Sequence, residues 1–143
     1  MHHENTNLLN EISKASKMGM EAIDILMPKI KNESLKNNLK AQCSEYQTLH
    51  DKANHAMSAY NVKPSKESMM AQTMLWGSIQ MNTLMNSSEQ HIAEMMINGT
   101  TMGIIDMTKK LNELEKPNQD ERELAQTFIE QSQAYIDMWK HYL

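Results

Sequence analysis

The sequence has little of what sheet proteins, disulfide-linked secreted proteins and membrane proteins need. Its 143 residues include four glycines, three prolines and one cysteine, and aromatic residues make up 5% of the chain. So few glycines and prolines cannot supply the turns of a many-stranded sheet, and a lone cysteine, Cys43, cannot form an internal disulfide. The first residues are polar, and no apolar run is long enough to span a membrane. We therefore predict an all-α protein of the reducing cytoplasm, without a secretory signal or a membrane partner.

The charge pattern argues against nucleic acid as a partner. The formal net charge is −4, and the basic residues are scattered rather than gathered in one stripe. A protein that binds nucleic acid neutralises phosphates with clustered lysine and arginine, and no such cluster is present. At this length we expect one domain, residues 1–143, with an apolar core.

Apolar residues recur along most of the chain at steps of three and four, the spacing of one helix face. Asn5 or Thr6 would cap the first helix, Pro28 would end or kink it, and Asn32 or Ser34 would cap the second. The sequence predicts five helices, at residues 5–31, 33–60, 66–85, 88–114 and 119–142. The predicted inner face of the second helix is Leu35, Leu39, Tyr46, Leu49, Ala53 and Met57. The predicted inner face of the last helix is Leu124, Phe128, Gln131, Tyr135, Met138 and Tyr142.

One line of apolar and small residues occurs twice, offset by 84 residues. The first copy is Leu8, Ile12, Ala15, Gly19, Ile23 and Met27, and the second is Ile92, Met96, Gly99, Gly103, Met107 and Leu111. Glycine inside a helix costs about 1 kcal/mol relative to alanine, so these glycines need a packing reason. We expect the first and fourth predicted helices to cross closely at Gly19 and at Gly99 and Gly103. A cavity for an apolar ligand or haem beside Gly99 and Gly103 is the alternative.

Residues 66–85 are apolar on almost every side and rich in methionine. A helix of this length spans roughly 30 Å, enough to return the chain to the other end of a bundle. Its apolar surface predicts burial on several sides and a homodimer through this segment. The methionines follow the helical stripe, so we interpret them as packing residues rather than as copper(I) ligands. Asn86 to Glu89 indicates a break before the next helix, and one continuous helix over 66–114 is the competing interpretation.

Two antiparallel helix pairs joined by a crossover helix resemble the ferritin-like superfamily, which includes rubrerythrins and many small bacterial bundles. The resemblance implies an up-down four-helix bundle with an extra crossover helix between the pairs. In the di-metal members, two helices each carry a glutamate and the other two each carry Glu-x-x-His. No glutamate of this chain has a histidine three residues on, and the nearest pattern is the reversed pair His91-Ile92-Ala93-Glu94.

If a metal centre exists, the ligands predicted by position are Glu45, His50, His91 and Glu94, because they lie mid-helix beside the apolar stripe. Iron or manganese would be the metal. The other inner-edge carboxylates are Glu11, Glu21, Asp106 and Glu130. Asp106 follows Gly99 in a seven-residue repeat, so we expect it to be partly buried and bonded to Ser16, a tyrosine or Lys110.

Three functions follow from these patterns. The leading hypothesis is a non-enzymatic bundle without a cofactor, which acts through contacts with an unknown protein partner or as a structural or stress-related module. The second is a carboxylate-bridged di-metal oxidoreductase or storage protein for iron or manganese. The third is binding of an apolar ligand between helices.

Overall fold

The computed structural model describes residues 2–61, 78, 79, 83 and 86–143, with side chains from Leu8 onward. Within these residues the chain forms four α-helices and two short 3-10 turns, and no strand. The helices are α1 (His2–Leu26), α2 (Glu33–Ala59), α3 (Glu89–Glu113) and α4 (Gln119–Trp139), and the 3-10 turns are Met27–Lys29 and Lys140–Tyr142. The all-α prediction is confirmed for this part of the chain.

Local signals set most of the helix boundaries. Pro28 lies in the 3-10 turn that ends α1, and the Asn32 side chain accepts the Leu35 backbone N–H as the N-cap of α2. The cap predicted at Asn5 or Thr6 is wrong, because α1 is already helical at His2. Asn61, just beyond α2, has a φ of 57°, the left-handed conformation that asparagine tolerates at helix ends.

The break before α3 is real. Residues 86–88 are not helical, and the Ser88 side chain caps α3 by accepting the His91 backbone N–H. A continuous helix over 66–114 is therefore wrong. The crossover helix predicted at 66–85 lies outside the described residues, except for Ser78, Ile79 and Thr83.

Contacts between helices fix their directions. Ser13 of α1 bonds to His50 of α2 while Gly19, further along α1, lies against Tyr46, earlier in α2, so this pair is antiparallel. Helices α3 and α4 pack side by side at Gly103 and Phe128 and are joined by a short connection from Glu113 to Gln119, so they are antiparallel as well. Helices α2 and α4 also run in opposite directions, because Tyr60 bonds to Asn118 at one end. It follows that α2 and α3 point the same way, and that Asn61 and Asn86 lie at opposite ends of the four helices.

All four helices contribute to one apolar core. The inner face predicted for α2 is confirmed, since each of its six residues is buried: Leu35, Leu39, Tyr46, Leu49, Ala53 and Met57. On α4 the buried face is rotated slightly from the predicted one. Trp139 is completely buried, whereas the predicted Met138 and Tyr142 are only partly buried.

Candidate functional site

The centre of the four helices is an arrangement of glycines and aromatic rings. A Cβ on Gly19 of α1 would lie 2.6 Å from the Tyr46 ring atoms Cε2 and Cζ, well inside van der Waals contact. A Cβ on Gly103 of α3 would lie 3.8 Å from Cζ of Phe128. In each antiparallel pair, therefore, the glycine of the first helix lies against an aromatic ring of the second. The 84-residue repeat reflects this shared packing.

The predicted close crossing of α1 and α3 at their glycines is wrong. Gly19 packs on α2 and Gly103 packs on α4. Gly99 is exposed, and no atom within the described part of the chain comes within 4 Å of the position that its Cβ would take. Because Phe128 takes the space beside Gly103 and Gly99 faces outward, these surroundings do not favour an apolar-ligand cavity there.

Tyrosines supply the polar contacts of this centre. The Tyr135 hydroxyl donates to Glu45 Oε1 at 2.8 Å, and the Tyr46 hydroxyl is hydrogen-bonded to Ser132. The Tyr46 and Tyr135 rings meet edge to face with centroids 5.4 Å apart. Burial, together with the nearby Glu45 charge, raises the pKa of Tyr46 to about 12. Burial and the bond to Glu45 also raise the pKa of Tyr135 above its ordinary value, so both phenols stay protonated and the Tyr135 phenol acts as a donor to Glu45.

The predicted metal ligands do not come together within the described residues. Glu45 and Glu94 are exposed, and His50 and His91 are half-buried. No group of three or more His, Cys, Asp or Glu side chains in that part of the chain is placed to hold a metal ion. Glu45 is instead occupied by the Tyr135 hydroxyl. The Nε2 atom of His91 is buried and has no hydrogen-bond partner among the described residues.

His50 takes part in a cluster that the sequence analysis missed. Its Nδ1 lies 2.9 Å from the Ser13 carbonyl oxygen and its Nε2 lies 3.1 Å from Asn54 Nδ2. The Ser13 hydroxyl donates to Asn54 Oδ1 at 2.7 Å. The tautomer with a hydrogen on Nδ1 and a lone pair on Nε2, assigned from these contacts, satisfies each of the bonds.

The residue types of this cluster (Ser13, His50 and Asn54) also occur in nucleophilic active sites. The geometry of the cluster does not fit nucleophilic catalysis. The Ser13 hydroxyl proton is directed at Asn54 rather than at the imidazole, and Ser13 is almost completely buried. Both ring nitrogens of His50 already have protein partners, which also leaves none free for a metal. The cluster therefore joins α1 to α2. No spacing rule could have found it, because its members lie 37 and 41 residues apart.

Asp106 differs from expectation, because it is exposed rather than partly buried. Its predicted partner Ser16 donates instead to the Ile12 carbonyl of its own helix.

Glu121 is a fully buried carboxylate that was not predicted from the sequence. It forms a capping box with Asn118 at the start of α4, and burial raises its pKa. The spacing Asn118-x-x-Glu121 is the signal that could have identified it.

Cys43 is half-buried, and burial together with the charge of Asp24 raises the pKa of its thiol. A raised pKa lowers the thiolate fraction, so these surroundings favour a packed thiol over a reactive one.

The remaining feature is an apolar surface on α3. Met102 is 57% exposed and Ile105 is 40% exposed, and they are the large exposed apolar residues of the described helices. Gly99 lies one turn before Met102 on the same side. We define the α3 strip as six exposed residues along this side: Glu94, Asn98, Gly99, Met102, Ile105 and Lys109. The exposed Thr101 and Asp106 border the strip.

Comparison of the chain with models of known protein families, with curated proteins and with solved structures found no match. None of the helices in the described residues is long and apolar enough to cross a membrane. We therefore assign the class of protein from its fold. It is an all-α protein whose four described helices share one apolar core.

Proposed function

We propose that this protein is a non-enzymatic helical bundle that acts through protein contacts, and that the α3 strip is its contact surface. The observation that carries the proposal is the exposure of Met102 and Ile105 on one side of one helix. Large apolar side chains that stand together at a surface, with charged residues at the margin, are typical of protein interaction sites.

The packing of the core supports a non-enzymatic function. Tyr46, Phe128 and Tyr135 fill the level at which the four helices meet, and the Tyr135 hydroxyl occupies an oxygen of Glu45. The two tyrosine hydroxyls at this level are bonded to protein groups, which stabilises the fold.

A ferritin-like architecture remains part of this proposal. Two antiparallel pairs, with α2 and α3 pointing the same way, agree with the order of helices in that superfamily. We further propose a cytoplasmic location, from the single cysteine. The homodimer through residues 66–85 stays a prediction, since it falls outside the described residues.

The second candidate is the di-metal protein with iron or manganese. One observation favours it. The Nε2 atom of His91 is buried and has no hydrogen-bond partner among the described residues, and an imidazole nitrogen of this kind can serve as a metal ligand. Against it, both ring nitrogens of His50 are bonded and Glu94 is exposed.

Elemental analysis separates the two candidates. We expect protein purified without tag or chelator, and then reconstituted with iron and manganese, to contain metal far below one equivalent. Near-stoichiometric metal that is lost in the His91→Ala variant, but kept in the His55→Ala variant, would instead establish the metal protein. His55 is the matched control because it is an exposed histidine of α2.

Photo-cross-linking tests the contact surface itself. A benzophenone amino acid in place of Met102 should give discrete adducts in the native cells. The same probe in place of Gln126, an exposed residue of α4, should not give them. Identical adduct patterns at the two positions would refute the assignment of the surface.

A further inference from the structure

We infer that the partner of the α3 strip is the α3 strip of a second copy of this chain, docked antiparallel about a two-fold axis. This inference names the partner of the surface assigned above, and so it rests on the proposed function. A two-fold interface brings one surface against itself, which requires a patch that is self-complementary in charge and in shape.

The charges of the strip meet this requirement. An axis between Thr101 and Met102 places Glu94 of one copy opposite Lys109 of the other, and the same pair forms again on the far side of the axis. Both side chains are exposed, and neither takes part in an ion pair within the described residues. Opposite charges therefore face each other twice in the antiparallel arrangement. In a parallel arrangement Glu94 would face Glu94, and like charges would repel.

The shape of the strip is also self-complementary. The same axis places Ile105 opposite the hole between Met95, Asn98, Gly99 and Met102, the i, i+3, i+4, i+7 set that receives a side chain from a facing helix. Gly99 has open space where a Cβ would stand, so this hole has room for Ile105 of the other copy. Met102, the most exposed large apolar residue of the described helices, would contact its own counterpart next to the axis.

The size of the strip sets the expected strength. From Glu94 to Lys109 the helix extends roughly 22 Å, so a single pair of helices makes contact. Such an interface lies below the standard area of about 800 Å² per partner, which indicates a weak, reversible dimer.

Sedimentation equilibrium of the whole chain, from about 10 µM to about 1 mM, tests the inference. We expect a reversible monomer–dimer equilibrium, and we expect Glu94→Lys and Lys109→Glu each to raise the Kd about tenfold, because each single reversal brings like charges together twice. The double variant Glu94→Lys/Lys109→Glu should restore the wild-type Kd, because the pairs reform with exchanged signs. Glu130→Lys, a charge reversal at an exposed residue of α4, is the matched control and should leave the Kd unchanged.

Cross-linking reports the register. In a Cys43→Ser background, Met102→Cys should give covalent dimers with a short bis-maleimide, and Lys109→Cys should not, because only position 102 lies next to its own counterpart. A monomer at every concentration would overturn the inference. The inference would also be overturned if neither single charge reversal changed the Kd, or if the double variant kept a raised Kd. Equal yields of cross-linked dimer at positions 102 and 109 would overturn it as well.

These outcomes are distinct from those of the proposed function. A monomer whose position 102 still gives adducts with another protein would remove the second copy as partner and keep the contact surface. Stoichiometric metal would remove the proposed function whatever the oligomeric state.

Discussion

The contact between Gly19 and Tyr46 gives the sharpest test of how α1 packs against α2. In Gly19→Ala the new Cβ would lie 2.6 Å from the Tyr46 ring, so the ring has to move by almost 1 Å. Its freedom is small, because Phe128 and Tyr135 pack against it and its hydroxyl is bonded to Ser132. Overpacking of a confined site costs about 3 kcal/mol, the upper end of the usual range.

The helix propensity of alanine offsets part of that cost. Alanine favours a helix interior over glycine by about 1 kcal/mol, so Gly19→Ala should lower the free energy of unfolding by about 2 kcal/mol. At this chain length the midpoint of thermal unfolding should fall by roughly 6 °C. Gly103→Ala is the matched control. Its Cβ would meet Phe128 at an ordinary 3.8 Å, so it should raise the free energy of unfolding.

Urea unfolding of both variants, followed by circular dichroism, measures the difference directly. A double-mutant cycle with Tyr46→Leu should show coupling of about 3 kcal/mol, the whole overpacking cost, because the smaller side chain leaves room for the new Cβ. If Gly19→Ala is as stable as Gly103→Ala, or if the cycle shows no coupling, the assigned contact between α1 and α2 is refuted.

Three further expectations concern single polar groups. Because burial raises the folded-state pKa of Glu121, its stabilising contribution is complete below the unfolded value of about 4.5 and is lost as the pH rises through the folded pKa. Unfolding of Glu121→Gln should therefore depend less on pH above 4.5 than unfolding of the wild type. Tyr135→Phe removes the bond to Glu45 and should cost about 1 kcal/mol in urea unfolding. Asn118→Ala removes the cap of α4 and the bond to Tyr60, and should lower thermal stability by about 1–2 kcal/mol.

Each of these three variants has a matched control variant. Glu123→Gln changes an exposed carboxylate of the same helix and should keep the wild-type pH dependence. Glu45→Gln keeps an acceptor for Tyr135, so it should cost less than Tyr135→Phe. Asn38→Ala alters an exposed asparagine within α2 and should not lower the thermal stability. A pH dependence of Glu121→Gln equal to that of the wild type would show that this carboxyl is not the group responsible.

Most of the helix boundaries and the all-α class could be predicted because their causes are local. Pro28 cannot donate to a preceding carbonyl, Asn32 and Ser88 cap the next backbone amides, and Asn61 tolerates a positive φ. The buried face of α2 was equally accessible, because every third or fourth residue of a helix falls on one side. Each of these features depends on residues within a few positions of one another.

Tertiary packing alone decided which partners those faces meet. The glycine repeat was visible in the sequence, but whether Gly19 would meet α2 or α3 depends on how the helices are arranged around the core. The bonds of His50 to Ser13 and Asn54, and of Tyr135 to Glu45, join residues far apart in the chain, so no spacing could indicate them. Gly99 and Asp106 stand near the edge of the predicted inner face, where a small rotation of the helix moves a residue from the core to solvent. Periodicity fixes the existence of a face, and only the packing of the other helices fixes its orientation.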